Sequence, residues 1–546
     1  MPAPTPDLPP ARQRLWIAIV LLGAVLLTFY RLGAGALWDQ DETKYAQVAR
    51  EILETGDPVT LHVNGQPWYV HPPLYMWLVA ATGRVAGFTE FTVRVWSAAF
   101  SVLAVYATIL LGRLWFGART GVLAGAVLAV TLHFLVQSRL AVFDTVLLAW
   151  MLLAVYAFAT AYRGRRAGYL WFFLCAGLAT LTKGPIGLLL PGLVIAAFVT
   201  ARGAWGRWRE VPWAAGLALY AAVGLSWYAA EAWLHGRAFV ATVLGYYGVG
   251  RFFGVVENQA GPWYYYAPVL FAGAFPWTAF WPTAAVHHLR RVREADGSLF
   301  VLLWCAITVV FYSIAGTKLP NYVLPIYPLA AIGVAALWDT AIREPGMGPG
   351  GAAGRGVALS AGLLGVFLAA LYVGIGGYLG GLYPEQFHAF GRLLLVPAAA
   401  LAAGVGLVIT LAVSGRRLAA FTVLCMAMAV TWIGILSWVV PAVEAQKPMK
   451  PLAVAIRGAL GPGDRIVGYR LSIYSSLIFY TDHPVEWVET PEVLRRAVCA
   501  SGRVFLVITR PDAGVVRGSL PGGLVPLAGR GGTEVLVKPA SLRCGP

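Results

Sequence analysis

Charge is scarce in this chain. Only 12% of its 546 residues are Asp, Glu, Lys or Arg, while 59% are hydrophobic and the mean hydropathy is +0.70. A soluble globular domain carries roughly 25% charged residues, so these values exclude one and require a polytopic membrane protein. Cysteine is scarcer still, five in all, with no CxxC or Cys/His spacing, which excludes a cysteine-rich metal framework. Cys175, Cys305 and Cys425 sit in apolar runs and read as small core residues. Cys499 and Cys544 fall in the polar tail, where either a disulfide or two free thiols fits. No internal repeat is present. The net charge of +16 does not imply nucleic acid, because the arginines stand in short clusters between apolar runs, which is a topology signal.

What is abundant is apolar sequence of bilayer length. After a proline-rich arm, MPAPTPDLPPA, a first span runs from Leu15 to Tyr30, and it is read as uncleaved although Ala34-Gly35-Ala36 imitates a signal-peptidase site. Further segments lie near 91–112, 120–137, 144–162, 168–182, 184–200, 211–233, 263–286, 299–316, 320–338, 357–380, 392–413 and 418–440. That predicts an α-helical polytopic membrane protein of about thirteen spans, each crossing about 30 Å of hydrocarbon. The short pair 168–182 and 184–200 also fits a tight hairpin. With the N-terminus cytoplasmic, every inner loop carries an arginine cluster, such as Arg163, Arg165 and Arg166 or Arg290, Arg291 and Arg293. His287 and His288 fall in that second inner loop and read as headgroup-facing.

Residues 1–443 form the membrane domain, with 31–90 as its large first outer loop. Within it Tyr45, Val48, Ala49, Ile52 and Leu53 recur at helical spacing, with Lys44, Gln47, Arg50, Glu51 and Glu54 on the other face. This predicts an amphipathic helix in the interface plane. A second is predicted from Pro72 to about Gly87. Residues 444–546 read as a small soluble α/β domain, with strands at RIVGYR, SSLIFYT, VEWVE, RVFLVITR and TEVLVKP and a helix over 491–499. This tail has no phosphate-binding Gly-rich loop and no metal spacing.

The residues able to do chemistry fall on one membrane face, opposite the arginine clusters. Asp39, Asp41 and Glu42 follow the first span, and a carboxylate there serves either as a helix cap or as part of a site. Asp144 (AVFDTV) stands at the outer end of a span, where a carboxylate is costly and marks a site or a cap. Lys183, Arg251 and Lys318 are lone cations at outer span ends or in an outer loop. Singly each suits a snorkelling headgroup contact; together they suit an anionic lipid-linked substrate held at its phosphate. His62 and His71 lie near the acids without HxH or HxxxH spacing, so no metal site is assigned, and a divalent cation is left open as a cofactor. A transporter of lipid-linked sugars is the rival class. It would place ionisable groups near the midplane in paired repeats, whereas here they gather at one edge.

WDQDETKYAQVAREILETGD, NGQPWYVHPPLYMWL, FDTVLLAW, LTKGPIGLLLPG, GPWYYYAPVLFAGAFPW and GTKLPNYVLPIYPLAA together, in this order over residues 15–340, resemble the bacterial branch of the protein O-mannosyltransferase-like GT-C glycosyltransferases. That branch includes the 4-amino-4-deoxy-L-arabinose lipid A transferases. The resemblance implies an inner-membrane enzyme that takes a sugar from a polyprenyl (undecaprenyl) phosphate carrier and transfers it with inversion on the periplasmic face. The implied acceptor is lipid A or another envelope molecule, with the tail domain periplasmic. It also implies Asp41 as catalytic acid with Glu42 beside it and Asp144 as a second, and Lys44, Tyr45, His71, Lys183, Arg251 and Lys318 around the substrate or carrier phosphate. Two departures from the aminoarabinose branch are His71 in Val70-His71-Pro72, where Glu-Lys-Pro is expected, and Gln259, where a His is expected.

Overall fold

The computed structural model describes residues 9–250, 252, 254–255, 259–344, 351–382, 384–471, 474–520 and 522–542. The chain divides into two compact units. The first takes in residues 1–32, 69–75 and 95–439, and the second 33–68, 76–94 and 440–546.

All thirteen expected segments are helical, but not all in one piece. Among the described residues seven helices are long and apolar enough to cross a membrane: Pro10–Phe29, Glu90–Phe116, Asp144–Tyr162, Asp296–Ile314, Ala352–Ala370, Leu393–Val413 and Arg417–Glu444. The count becomes nine if each bent pair is one span: Trp213–Gly224 with Ser226–Val243, bent by 55°, and Tyr266–Gly273 with Trp277–Leu289, bent by 107°. Ala167–Lys183 and Ile186–Ala201 are shorter, and the segment 120–137 is broken into Ala118–Ala129 and Leu132–Gln137. Ile326–Arg343 supplies the remaining segment.

Within the first unit, the breaks cover one another. Leu132 N–H donates to Phe275 O at 3.1 Å, and Trp277 Nε1 donates to Val127 O at 2.9 Å. In hydrocarbon each backbone group left unmade costs several kcal/mol, so an interrupted span persists where another satisfies it. His287 and His288 are buried rather than headgroup-facing. The His288 ring lies 2.9 Å from Ser298 Oγ and 3.1 Å from Gly333 O, because its helix Trp281–Leu289 packs against Asp296–Ile314 and Ile326–Arg343.

The second unit holds both sheets. β1 (His62–Val63) and β2 (Gln66–Pro67) form an antiparallel hairpin through Asn64 and Gly65, both at positive φ, the geometry that matches strand twist in a two-residue turn. The main sheet has the order β4-β3-β5-β7-β6, with β3 (Arg465–Tyr469) parallel to β4 (Val485–Val488) and to β5 (Val504–Thr509). β6 (Val525–Arg530) and β7 (Thr533–Lys538) close it as a hairpin over Gly531-Gly532. Helices cover both faces. Met449, Leu452, Ile456, Leu477 and Ile478 pack on Ile466, Phe505 and Val535, while Leu494, Val498 and Val516 pack on Val467, Leu506 and Ile508.

Two expectations change here. SSLIFYT is the helix Ser475–Thr481, not a strand, because β3 and β4 are parallel neighbours and parallel strands need a crossover instead of a tight turn. The first-loop helix Asp41–Thr55 does not lie with one face free, since Gln47 and Glu51 of its polar side are buried. Glu51 accepts from Gln47 Nε2 at 2.9 Å and from Asn64 N and Gly65 N at 2.7 and 3.0 Å, so its charge is spent on the β1–β2 turn. The second expected helix runs Leu74–Ala86.

Candidate functional site

In the first unit, three helix ends bring Asp144, Lys183 and Asn321 together. Asp144 is the first residue of Asp144–Tyr162 and is buried, where the free N–H groups and dipole of the helix favour a carboxylate. Lys183 is the last residue of Ala167–Lys183. The chain then reverses at Gly184, whose φ of +102° suits glycine and where a Cβ would come within 3.3 Å of Tyr228 Oη. Lys183 Nζ donates to Asp144 Oδ1 at 2.5 Å, and Asn321 Nδ2, from the 3-10 turn Pro320–Val323, donates to Oδ2 at 3.0 Å. The ammonium also lies 5.0 Å from the Phe143 ring centre and 5.1 Å from that of Tyr322, attractive cation–π geometry. Asp144 uses one of the three ammonium protons.

The other expected residues of this unit have separate surroundings. His71 sets its ring edge-on to Phe143 at 4.6 Å. Lys318 is buried and donates to Ala315 O at 2.5 Å and Ser313 O at 3.1 Å, satisfying carbonyls at the end of Asp296–Ile314. Its own N–H donates to Gln259 O at 2.9 Å. Arg251 lies outside the described residues, as does Cys544, on which the choice between a disulfide with Cys499 and two free thiols falls. Glu231 was not anticipated. It is fully buried, with His235 Nε2 3.6 Å from its Oε2 and the His235 ring 5.2 Å from that of Tyr69.

In the second unit the acids have different fates. Glu42 is buried and paired on both oxygens by Arg94, whose Nε and Nη2 donate at 2.8 and 2.9 Å. Arg94 also donates to Gly35 O and Ala36 O at 2.8 and 3.0 Å, and Trp38 N–H donates to Glu42 Oε2 at 2.8 Å. Asp39 accepts from Ser476 N–H at 3.3 Å, and burial raises its pKa above the ordinary carboxylate range. Asp41 is exposed, with the Tyr45 hydroxyl 3.5 Å from Oδ1, and Lys44 is half-buried. Gln40, between Asp39 and Asp41, has φ 71° and ψ −90°, a backbone state costing about 1–3 kcal/mol in a residue with a side chain. Arg94 and Asn321 were legible signals that went unused: a lone arginine inside an apolar run is costly and therefore tied to a partner, and Asn321 lies in GTKLPNY. Among the described residues no group of three or more His, Cys, Asp or Glu side chains is placed to hold a metal ion.

Residues 70–228 match the family model described as dolichyl-phosphate-mannose-protein mannosyltransferase. The undecaprenyl phosphate-α-4-amino-4-deoxy-L-arabinose arabinosyl transferase of Enterobacter sp. (strain 638) is 31% identical over 328 residues, 58% of each chain. Its namesake from Pseudomonas aeruginosa (strain UCBPP-PA14) is 31% identical over 335 residues, 59% of each. The match thus spans under two thirds of those relatives' length. Among solved structures, ArnT from Cupriavidus metallidurans bound to undecaprenyl phosphate superposes with a TM-score of 0.83 at 21% identity, covering 97% of this chain and 99% of that one. The Archaeoglobus fulgidus oligosaccharyltransferase in the apo form gives 0.53 at 13% identity, over 92% of this chain and 71% of that one. Fold and composition therefore define a multi-pass helical membrane protein with the fold of the solved ArnT. Within that fold the chain is similar to the mannosyltransferase family model over residues 70–228 and to the aminoarabinose transferases over 58–59% of its length.

Proposed function

We propose that this protein transfers a sugar from a polyprenyl phosphate carrier to an envelope acceptor, and that the sugar is 4-amino-4-deoxy-L-arabinose and the acceptor lipid A. The observation that carries the reading is the ion pair of buried Asp144 with half-buried Lys183, with Asn321 on the second carboxylate oxygen, since Asp144 and Lys183 lie inside the segment matching the family model. The relatives named for an undecaprenyl phosphate-linked aminoarabinose supply donor and sugar. The acceptor's nucleophilic oxygen attacks the anomeric carbon, the bond from that carbon to the phosphate oxygen breaks, and polyprenyl phosphate leaves with the electron pair. Lys183, held in place by Asp144, stabilises the charge developing on the leaving phosphate. Asp41 takes the proton when the acceptor is a hydroxyl; with a phosphate acceptor no proton need be removed, and Asp41 orients the substrate instead.

The protein is proposed to lie in the bacterial inner membrane, with the first loop and residues 444–546 periplasmic. The arginine clusters of the opposite loops support that orientation. The test is transfer by the purified protein in detergent, from synthetic undecaprenyl phosphate-α-4-amino-4-deoxy-L-arabinose to lipid A, followed by mass spectrometry. The expected product is lipid A heavier by one aminoarabinose residue. Unchanged lipid A and unconsumed donor under conditions where the protein stays folded would overturn the reading.

A further inference from the structure

Residues 35–39, the five just before Gln40, are fastened by polar contacts from the tail. Ala36 N–H donates to Glu444 Oε2 at 2.8 Å, Leu37 N–H to Tyr480 Oη at 2.8 Å, and Ser476 N–H to Asp39 at 3.3 Å. Lys447 Nζ reaches Ala36 O at 3.3 Å and lies 3.7 Å from the Trp38 ring centre. Tyr480 is itself steadied, donating to Glu90 Oε1 at 3.1 Å, and Glu90 pairs with Lys450. Four of these anchors, Glu444, Lys447, Ser476 and Tyr480, come from more than 400 positions away, in the tail of the same unit.

Burial alone does not explain the fastening. Leu37 alone of the segment is buried, at 2% exposed, whereas Trp38 is 52% exposed and Gln40 and Asp41 beyond it are exposed as well, so one apolar side chain is seated while the rest of the segment is held by polar contacts. Its anchors are directional and polar, and they end where the backbone turns through the strained Gln40 into Asp41, the first residue of Asp41–Thr55. A strained conformation persists only where its surroundings over-determine it.

We infer that the tail, through Tyr480, Glu444, Lys447 and Ser476, is a clamp that keeps Gln40 in its strained positive-φ conformation and thereby sets the position of the Asp41 carboxylate. The inference rests on the transfer reading above and gives these side chains a positioning role in it. Removing one anchor lets Gln40 relax and shifts the carboxylate, which lowers the chemical step while leaving donor binding intact.

The test is steady-state kinetics of the full chain with synthetic undecaprenyl phosphate-α-4-amino-4-deoxy-L-arabinose and lipid A, with thermal unfolding recorded in the same detergent. Tyr480→Phe keeps the ring and removes the hydroxyl. The expected result is a kcat lower by about tenfold or more with the donor KM within about twofold of wild type. Gln40→Gly added to Tyr480→Phe should recover at least about threefold of the loss, because glycine holds this φ without strain; general destabilisation would not be repaired that way. Where Tyr480→Phe fails to fold, Glu444→Gln asks the same question at Ala36. A folded variant with wild-type kcat, or a deficit untouched by Gln40→Gly, overturns the clamp alone. A wild-type protein that moves no sugar overturns the transfer reading and the clamp with it.

Discussion

Lys183 and Asp144 meet at 2.5 Å inside the first unit, joining the end of one helix to the start of another, with the lysine side chain 14% and the aspartate 5% exposed. Removing one partner of such a pair leaves a buried charge uncompensated, a loss of about 3–5 kcal/mol, whereas replacing both by neutral groups is often close to neutral. Lys183→Met alone is therefore expected to lower the unfolding temperature sharply. The double variant Asp144→Asn with Lys183→Met should regain most of that stability yet transfer no sugar. A double variant that stays active would reduce the pair to a structural tie.

Glu42 is expected to behave differently from Asp41, although the two are neighbours in sequence. Its carboxylate is held by Arg94 on both oxygens and by Trp38 N–H, which leaves it suited to bracing the loop. Glu42→Gln strips Arg94 of its counter-charge and should cost about 2–4 kcal/mol in thermal unfolding, with kcat of the folded fraction reduced by no more than about threefold. Arg94→Lys should show a similar stability loss, since an ammonium cannot reproduce the fork that also reaches Gly35 O and Ala36 O. A larger drop in kcat than in stability for Glu42→Gln would return Glu42 to the chemistry.

Much of the membrane architecture was readable from hydropathy, because a bilayer imposes one length on every crossing. The breaks at Thr131 and Phe275 were not readable: they depend on Leu132 N–H finding Phe275 O, a contact between distant segments. In the tail, RIVGYR and VEWVE were legible as strands, but SSLIFYT was not legible as a helix. Its apolar residues suit either state, and the parallel pairing of β3 and β4 decides. Asp144 and Lys183 stood out as ionisable groups at span ends, and their pairing is a tertiary fact. Arg94, a lone arginine in an apolar run, and Asn321, within GTKLPNY, carried a signal in the sequence, whereas Tyr480 lay in an ordinary-looking run, because its side chain acquires its meaning from the partner it reaches.

Asp39 carries a pH dependence whose sign follows from its surroundings. Burial raises its pKa, so the folded state prefers the protonated form more than the unfolded chain does. Its contribution to stability is fully present below the unfolded pKa and is lost as pH rises through the higher folded value. Asp39→Asn keeps an oxygen to accept from Ser476 N–H and removes that loss. The variant should unfold at a higher temperature than wild type at pH 7, with the difference shrinking as pH falls below the ordinary carboxylate range. A variant less stable than wild type at pH 7 would show that the charge itself holds the loop.

Asp41 is where the proposed chemistry is most exposed to refutation. It begins the helix Asp41–Thr55 and faces solvent, so as a mere contributor to the helix N-terminus it is worth about 0.3–1 kcal/mol. Asp41→Asn keeps the side chain's shape, and the unfolding temperature should move little. Acting as general base for a hydroxyl acceptor, the carboxylate contributes about 10²–10⁴-fold to the rate, and the variant should lose transfer by that factor. If the acceptor is a phosphate, the loss should be smaller and appear chiefly in acceptor KM, because the lost contact orients substrate and no proton moves. Comparing kcat and acceptor KM of Asp41→Asn with wild type therefore distinguishes base from orienting group, and a variant with full turnover and unchanged KM removes Asp41 from both roles.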